Sequence, residues 1–362
     1  MRVNKLELVN FRNYNSLEID FDSNINILYG MNAQGKTNIL ESIYMCSTTK
    51  SHRTNKDIEM INFNEDEAHI KLNITKADKE FRIDIHLKKN KKKGIAINRI
   101  PIKRADELFG IFNVIFFSPE DLNIIKNGPK ERRKFIDIEL CQLDKIYVYN
   151  LVNYNKVLNQ RNQVLKDVFF EPSLKETLDI WDMQLAKYGK EIIRRREEFI
   201  EKINEIILPI HSDITDNLET IKIEYDKNVD EDDFYEMLVR KRNDDISRKT
   251  TTIGPHRDDI IIYSNDINVR TYGSQGQKRT AALSLKLAEI ELVKKQIGEN
   301  PILLLDDVLS ELDSSRQNHL LKTIKDIQTI ITCTGLDDFI ENRFKIDKVF
   351  EVDNGKVEVK TV

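Results

Sequence analysis

Two short stretches, far apart in the chain, hold residue types that together could handle a phosphate ester. The first is Gly30-Met31-Asn32-Ala33-Gln34-Gly35-Lys36-Thr37, which matches the pattern G-x-x-x-x-G-K-[ST]. Glycines let backbone N–H groups crowd inward around an anion. A helix starting at Thr37 and Asn38 adds its positive N-terminus. In such a loop Lys36 reaches the β- and γ-phosphates of ATP, and the Thr37 hydroxyl ligates Mg2+. The second stretch is Ile302-Leu303-Leu304-Leu305-Asp306-Asp307. Four apolar residues make a buried strand, and Asp306 emerges at its carboxyl end, where open α/β sheets bind ligands. Asp306 is expected to hold Mg2+ through water, and Asp307 is placed to polarise an attacking water. The catalytic candidates are Lys36, Asp306 and Asp307, and the metal candidates Thr37 and Asp306.

A third segment, Gly273-Ser274-Gln275-Gly276-Gln277, opens a helix predicted over 277–297. On its own it reads equally well as a helix cap. Its place ahead of the acidic strand, with Ser310-Glu311-Leu312-Asp313 just behind that strand, follows the order of an ABC-type ATPase head. There the third segment is the signature motif and the fourth the D-loop.

These segments need an α/β frame. Strands are predicted at Lys5–Val9, Leu17–Phe21, Ile25–Tyr29, Ile70–Ile74, Phe81–Leu87 and Ile95–Ile102, several with a period of two. The lysines at 88, 89, 91, 92 and 93 before Gly94 suit a hairpin turn. The pattern turns helical near Pro129. A charged helical stretch reaches about Asp167, Pro172 breaks it, and a second helix runs from Ser173 to about Leu208, ended by Pro209. Apolar residues at Leu174, Leu178, Trp181, Leu185, Tyr188, Ile192, Phe199, Ile203 and Ile206 give it a narrow seam, so the pair forms a helical hairpin. Strands at Thr220–Tyr225, Asp259–Tyr263, Thr329–Thr332 and Lys348–Val352 follow. The expected architecture is a mixed α/β ATPase domain over 1–129 and 250–362, with a helical insertion over 130–249.

Composition narrows the function classes. The chain has 362 residues with 40% hydrophobic content, enough for a real core. Lys and Arg number 57 against 61 Asp and Glu, a net charge of −4, so any nucleic-acid site must be a local basic surface. Three scattered cysteines argue against a disulfide framework or a zinc finger and fit a reducing cytoplasm. No apolar run suits a bilayer, and no membrane partner is expected. Basic candidates for phosphate contact are Lys88–Lys93, then Lys130, Arg132, Arg133, Lys134 and Arg194–Arg196. A solvated loop is the plainer reading of the first group.

The chain resembles the RecF family, bacterial DNA-repair ATPases of the ABC/SMC group. The resemblance rests on Leu8-Val9-Asn10-Phe11-Arg12-Asn13-Tyr14, on Asn32 to Glu41, and on Phe116-Phe117-Ser118-Pro119-Glu120-Asp121-Leu122. It also rests on Gly254-Pro255-His256-Arg257-Asp258-Asp259 and on Asp306 to Asp313. It implies an ATP-dependent homodimer in which Ser274, Gly276 and Gln277 of one subunit cap the γ-phosphate held by the other. It implies binding to duplex DNA and single-strand gap junctions. It further implies action with RecO and RecR to place RecA in gap repair, replication restart and the SOS response. Slow, DNA-stimulated hydrolysis of ATP would reset the clamp. Asp307 stands where many ABC heads carry Glu. No switch histidine follows Thr329–Thr332, so Thr332 or Thr334 would replace it, and Ser118–Asp121 occupies the place of the Q-loop glutamine. Arg257 is read as near the nucleotide or interface, or as part of a hydrogen-bonded corner. Arg53 is read as a nucleotide contact or a carboxylate partner. An ATP-binding scaffold with negligible turnover, or a transporter ATPase subunit, are the alternatives.

Overall fold

Alternating apolar and polar residues over the first hundred positions build an antiparallel sheet, and short apolar runs build a second, mostly parallel one. The computed structural model describes residues 1–335 and 346–360, without the side chains of Ala105 and Glu311. The chain divides into two compact units, Met1–Asp121 with Lys286–Val362, and Leu122–Leu285.

The first unit opens with β1 (Arg2–Phe11), β2 (Tyr14–Asp20), β3 (Ile25–Tyr29) and α1 (Lys36–Thr48). Then come β4 (Glu67–Lys76), β5 (Lys79–Lys88), β6 (Gly94–Ile97), β7 (Ile100–Pro101) and β8 (Val114–Phe117). Strands β2-β1-β4-β5-β6-β7 form one antiparallel sheet. In β4, Ala68, Ile70, Leu72 and Ile74 are buried, so every second residue meets the core and the others face outward. The lysine-rich turn joins β5 to β6, as the sequence predicts.

The second unit holds α2 (Leu122–Lys126), α3 (Pro129–Leu143), α4 (Lys145–Asp167), α5 (Leu178–Ile214), β9 (Ile221–Asp226) and α6 (Phe234–Arg248). It continues through β10 (Asp259–Ser264), β11 (Ile267–Asn268), α7 (Val269–Tyr272) and the start of α8 (Gln275–Ile297). Asp144 ends α3 and caps α4, accepting from the amides of Ile146 and Tyr147. Helices α4 and α5 are joined by a 3-10 turn over Pro172–Thr177, the helical hairpin read from the sequence.

Three expectations need correction here. Helix α5 starts later than Ser173 and runs through Pro209 to Ile214. A proline inside a helix costs roughly 3 kcal/mol. Ile206, Ile207, His211 and Ile214 are all buried around it, and their burial outweighs that cost. The buried stripe also takes in Asp182, Gly189 and Arg196, whereas Trp181 and Tyr188 are only half-buried. The third correction concerns the division of the chain, which falls after Asp121 and Leu285 where 129 and 249 were expected. Strand β10 pairs antiparallel with β9, drawing the segment after residue 250 into the helical unit.

Buried ion pairs hold that unit together. Arg161 is fully buried, 2.6 Å from Asp182, 2.7 Å from Asp245 and 2.8 Å from the Thr251 hydroxyl. Arg196 donates to Asp137 at 2.8 Å, to Asp258 at 3.1 Å and to the Pro255 carbonyl at 2.6 Å. Arg132 grips Asp259 through two bonds of 2.6 and 2.8 Å. Removing one partner of such a pair strands a charge in the interior.

The first unit resumes with the end of α8, then β12 (Ile302–Asp306), α9 (Ser314–Thr323), β13 (Thr329–Cys333), β14 (Lys348–Asp353) and β15 (Lys356–Lys360). Its second sheet runs β15-β14-β3-β13-β12-β8. Strand β15, which the sequence reading missed, is half exposed and closes that sheet antiparallel. The five other strands are parallel neighbours, and their carboxyl ends share one edge.

Candidate nucleotide site

At that edge, β3, β13 and β12 lie side by side, so the Gly-rich loop after β3 meets Asp306 at the end of β12. Gly30 has φ 152°, and a Cβ there would lie 2.2 Å from the Val352 carbonyl oxygen. Gly35 has φ 116° and its Cβ would clash with the Asn13 and Tyr14 side chains. Only glycine fits either position. The Asn13 amide spans the loop, donating to the Gln34 carbonyl at 2.9 Å and accepting from Asn38 at 2.8 Å. The Gln34 side chain accepts from the Asn354 amide at 2.6 Å, tying the loop to the β14–β15 turn.

Lys36 is buried and donates to the carbonyls of Gly30 (2.6 Å) and Met31 (3.0 Å), arching over the loop it follows. The Thr37 hydroxyl donates to Asp306 Oδ1 at 2.9 Å. The same Asp306 oxygen accepts from the Thr332 hydroxyl at 2.8 Å, and that hydroxyl in turn accepts from the Asp307 amide at 3.0 Å. Thr332 is thus a buried link between the two acids. Burial, then the neighbouring Asp307, pushes the Asp306 carboxyl above its ordinary range, although Thr332 and Thr37 pull it down. An incoming dication would relieve that cost. The oxygen-only pair of Thr37 and Asp306 suits Mg2+, a hard cation. Asp307 has φ 52°, a left-handed conformation unusual for a residue other than glycine. Ser310 donates to its carbonyl at 2.8 Å.

Behind α1, Arg12 grips Glu41 at 2.7 and 2.9 Å, Ser51 donates to it, and Arg53 lies 4.0 Å away. Burial raises the Glu41 carboxyl, but Arg12 and Ser51 outweigh it and hold it below its ordinary range. Arg53 also donates to Asn38 at 3.0 Å, so it pairs with a carboxylate and touches the loop helix at once. Ser118 follows the end of β8, where its amide donates to Asp121 at 2.7 Å.

Gly30 to Asn38, Asp306, Asp307 and Thr332 are therefore assembled in one unit, while Ser274, Gly276 and Gln277 belong to the other. There Ser274 and Gln277 form a reciprocal cap. The Ser274 amide donates to the Gln277 side chain at 2.9 Å, and the Gln277 amide donates to Ser274 Oγ at 3.1 Å. Ser274 and Gly276 are exposed at the start of a 23-residue helix. The reciprocal cap thus sits at an exposed helix start.

The remaining motif residues fare differently. His256 contacts the Tyr154 hydroxyl at 2.7 Å and the Thr251 carbonyl at 3.1 Å, and Arg257 donates to that carbonyl at 3.2 Å. With Asp258 and Asp259 bound by Arg196 and Arg132, this block is a hydrogen-bonded corner. Arg132 and Arg196 are buried, Arg133 donates to the Asp258 carbonyl, and Arg194 and Arg195 pair with Glu191, Asp144 and Glu198. Arg132, Arg133 and Arg196 are absorbed into the unit, whereas Arg194 stays half-exposed beside its carboxylate partners on the same helix. In the basic hairpin, Lys88, Lys89 and Lys93 pair with Glu67, Asp66 and Asp57. Sequence reasoning gave Asn13 and Gln34 no bracing role. Asn13 carries a signal in hindsight, because it sits in the two-residue turn between β1 and β2, from which a polar side chain can reach another loop. No helix among the described residues is long and apolar enough to cross a membrane.

Comparison with known proteins identifies the family. Residues 2–358 match the family model "RecF/RecN/SMC N terminal domain". The chain is 64% identical over 359 residues to the DNA replication and repair protein RecF of Lachnospira eligens, covering 99% of each. It is 59% identical to that of Agathobacter rectalis, again over 99% of each. A solved structure described as the recombination mediator protein RecF–ATP in the RecFOR pathway superposes with a TM-score of 0.93 at 36% identity, covering 99% of this chain and 98% of the other. An Smc head domain bound to ScpA shares the fold at 17% identity and a TM-score of 0.59. With the family model matched over residues 2–358 and relatives so similar over nearly their whole length, this chain belongs to the RecF family.

Proposed function

We propose that the chain is a slow, DNA-stimulated ATPase that uses ATP as a switch for gripping DNA and mediating recombination. One observation carries this reading: Thr37, Asp306, Thr332 and Asp307 form a continuous hydrogen-bonded line beside the phosphate loop. Lys36 leaves the Gly30 and Met31 carbonyls to meet the β- and γ-phosphates, and the loop amides and the α1 N-terminus hold their charge. Thr37 and Asp306 hold Mg2+, which neutralises the phosphates when bound. Asp307 orients the attacking water.

Ser274, Gly276 and the α8 N-terminus face the γ-phosphate of a second copy, so ATP favours a homodimer and hydrolysis releases it. DNA, duplex and single-strand gap junction, is held through its phosphates without base readout. Of the basic stretches picked out in the sequence, Lys91, Lys92, Lys130 and Lys134 are exposed and each is available for such a contact. The solved relative is described as a recombination mediator in the RecFOR pathway, which supports RecO and RecR as partners and RecA as the indirect beneficiary. The work belongs to the cytoplasm, in gap repair, replication restart and SOS induction.

The test is equilibrium binding to a short labelled duplex with and without ATP, across several salt concentrations. ATP should tighten binding, salt should weaken it, and Lys36→Ala should lose the ATP effect alone. ATP-independent binding, or an unaffected Lys36→Ala, would sink the switch.

A further inference from the structure

The outward face of the antiparallel sheet is made largely of opposite-charge neighbours. Lys71 lies 2.5 Å from Glu7, Arg82 lies 2.6 Å from Asp84, and Lys88 lies 3.0 Å from Glu67. One cross-strand pair departs from this. His69 of β4 and His86 of β5 stand directly opposite each other, their rings stacked with centroids 4.1 Å apart and 15° between planes. Two imidazolium rings so placed would repel. Desolvation first, then the charge of His86, lowers the His69 imidazole below its ordinary range, although Glu67 and Asp84 pull it up.

Glu67 lies two residues before His69 on the same face of β4. Its carboxylate reaches both rings: Oε2 is 3.2 Å from His86 Nε2, and Oε1 is 3.9 Å from His69 Nε2. The three ligand atoms all fall within 4.8 Å of one another.

We propose that Glu67, His69 and His86 form a binding site for a divalent transition-metal cation of the Zn2+ class. Two imidazole nitrogens and one carboxylate are a donor set for Zn2+ and its neighbours, whereas Mg2+ and Ca2+ favour oxygen alone. A tetrahedral Zn2+ with bonds near ~2.1 Å spaces its ligand atoms about 3.4 Å apart. The His86 Nε2–Glu67 Oε2 separation already matches, whereas His69 approaches the other carboxylate oxygen, so drawing the three ligand atoms, now within 4.8 Å of one another, onto one ion needs side-chain rotation. The backbone need not move, because the β4–β5 ladder fixes His69 against His86 and Glu67 against Lys88. The side chains are 42 to 48% exposed, which gives an ion access and leaves a fourth position for water. In the metal-free chain Lys88 supplies the compensating charge at Glu67. The site is distinct from the Thr37–Asp306 pair and would bridge two neighbouring strands of the sheet.

The test titrates Zn2+ into the full chain against a chromophoric chelator, without nucleotide or Mg2+. One equivalent should bind. His69→Gln and His86→Gln should each weaken binding at least about tenfold, the lower range for losing even a supporting contact. Cys333→Ser, which removes a half-exposed thiol, should leave Zn2+ affinity unchanged. X-ray absorption of the loaded chain should show two imidazole nitrogens on the metal. No bound Zn2+, binding that survives both histidine substitutions, or binding lost with Cys333→Ser would each overturn the site.

Discussion

Thr332 is a single hydroxyl with two tasks: it donates to Asp306 and accepts from the Asp307 amide. Asp307 sits at φ 52°, so its backbone needs outside support, and Thr332 supplies it. Thr332→Val keeps the shape and removes both bonds, leaving a buried amide unpaired at a cost of about 1–3 kcal/mol. Single-turnover ATP hydrolysis should fall at least about tenfold while fluorescent-nucleotide binding persists, and Thr332→Ser should restore the rate. A Thr332→Val chain that hydrolyses normally would show that the link does not position the acids. At this scale the sequence was informative wherever chemistry demands one residue type: Gly30, Gly35, Lys36, Thr37 and Asp306 could be named from spacing alone. It gave no bracing role to Asn13 and Gln34, whose side chains reach distant backbone, and was ambiguous for Arg257, whose partner is a carbonyl only the fold supplies.

Among elements, one of the ties between the helical hairpin and the corner before β10 is an imidazole, since His256 meets Tyr154 of α4 beside the bonds from Arg196 of α5. Burial, then the cations Arg257 and Arg133, push His256 down to about 4, although the Thr251 carbonyl pulls the other way. The unfolded chain therefore binds its proton first as pH falls. His256 contributes fully above an unfolded pKa near ~6.5, and about 3 kcal/mol is lost as pH drops from there toward 4. His211, also lowered by burial, acts in the same sense. Asp258, raised by burial, acts in the opposite sense. Urea unfolding of the full chain between pH 7.5 and 4.5 should show this loss, and His256→Gln should flatten it. Equal slopes for the two chains would refute the assignment. Elements with strict periodicity, such as β4 and β5, were legible in the sequence. Helix α5 was misjudged at both ends, because proline is a local penalty and the buried residues beyond it are a tertiary gain. Strand β15 was missed because its residues are mostly exposed and carry little pattern.

On the scale of the whole molecule, the phosphate loop and the signature segment belong to different compact units. The proposed dimer makes each useful to the other copy. Ser274→Arg places a long cation at an exposed helix start and costs about 1 kcal/mol of capping. Sedimentation velocity with ATP should show the wild type as a dimer and Ser274→Arg as a monomer that still binds ATP. Dimerisation of the variant would remove the signature segment from the interface. The two-part organisation was legible as a change from strand to helix near Pro129. Its true boundary was not, because the pairing of β9 with β10 joins segments on either side of α6 and leaves no local mark.

The strand order of the parallel sheet also has a consequence for the chain as it is made. Strand β3, with four of its five residues buried, has β13 and β14 as its only sheet neighbours among the described residues. The antiparallel sheet draws only on segments up to β7, with hairpins at β1–β2, β4–β5 and β5–β6 and one longer-range pairing of β1 with β4. β3 must wait for residues 329–353 to leave the ribosome, and Gly30, whose amide donates to the Cys333 carbonyl, waits with it. A nascent or truncated chain thus carries an apolar strand without partners and an unformed phosphate loop. Nucleotide binding should therefore require β13 and β14 to be in place.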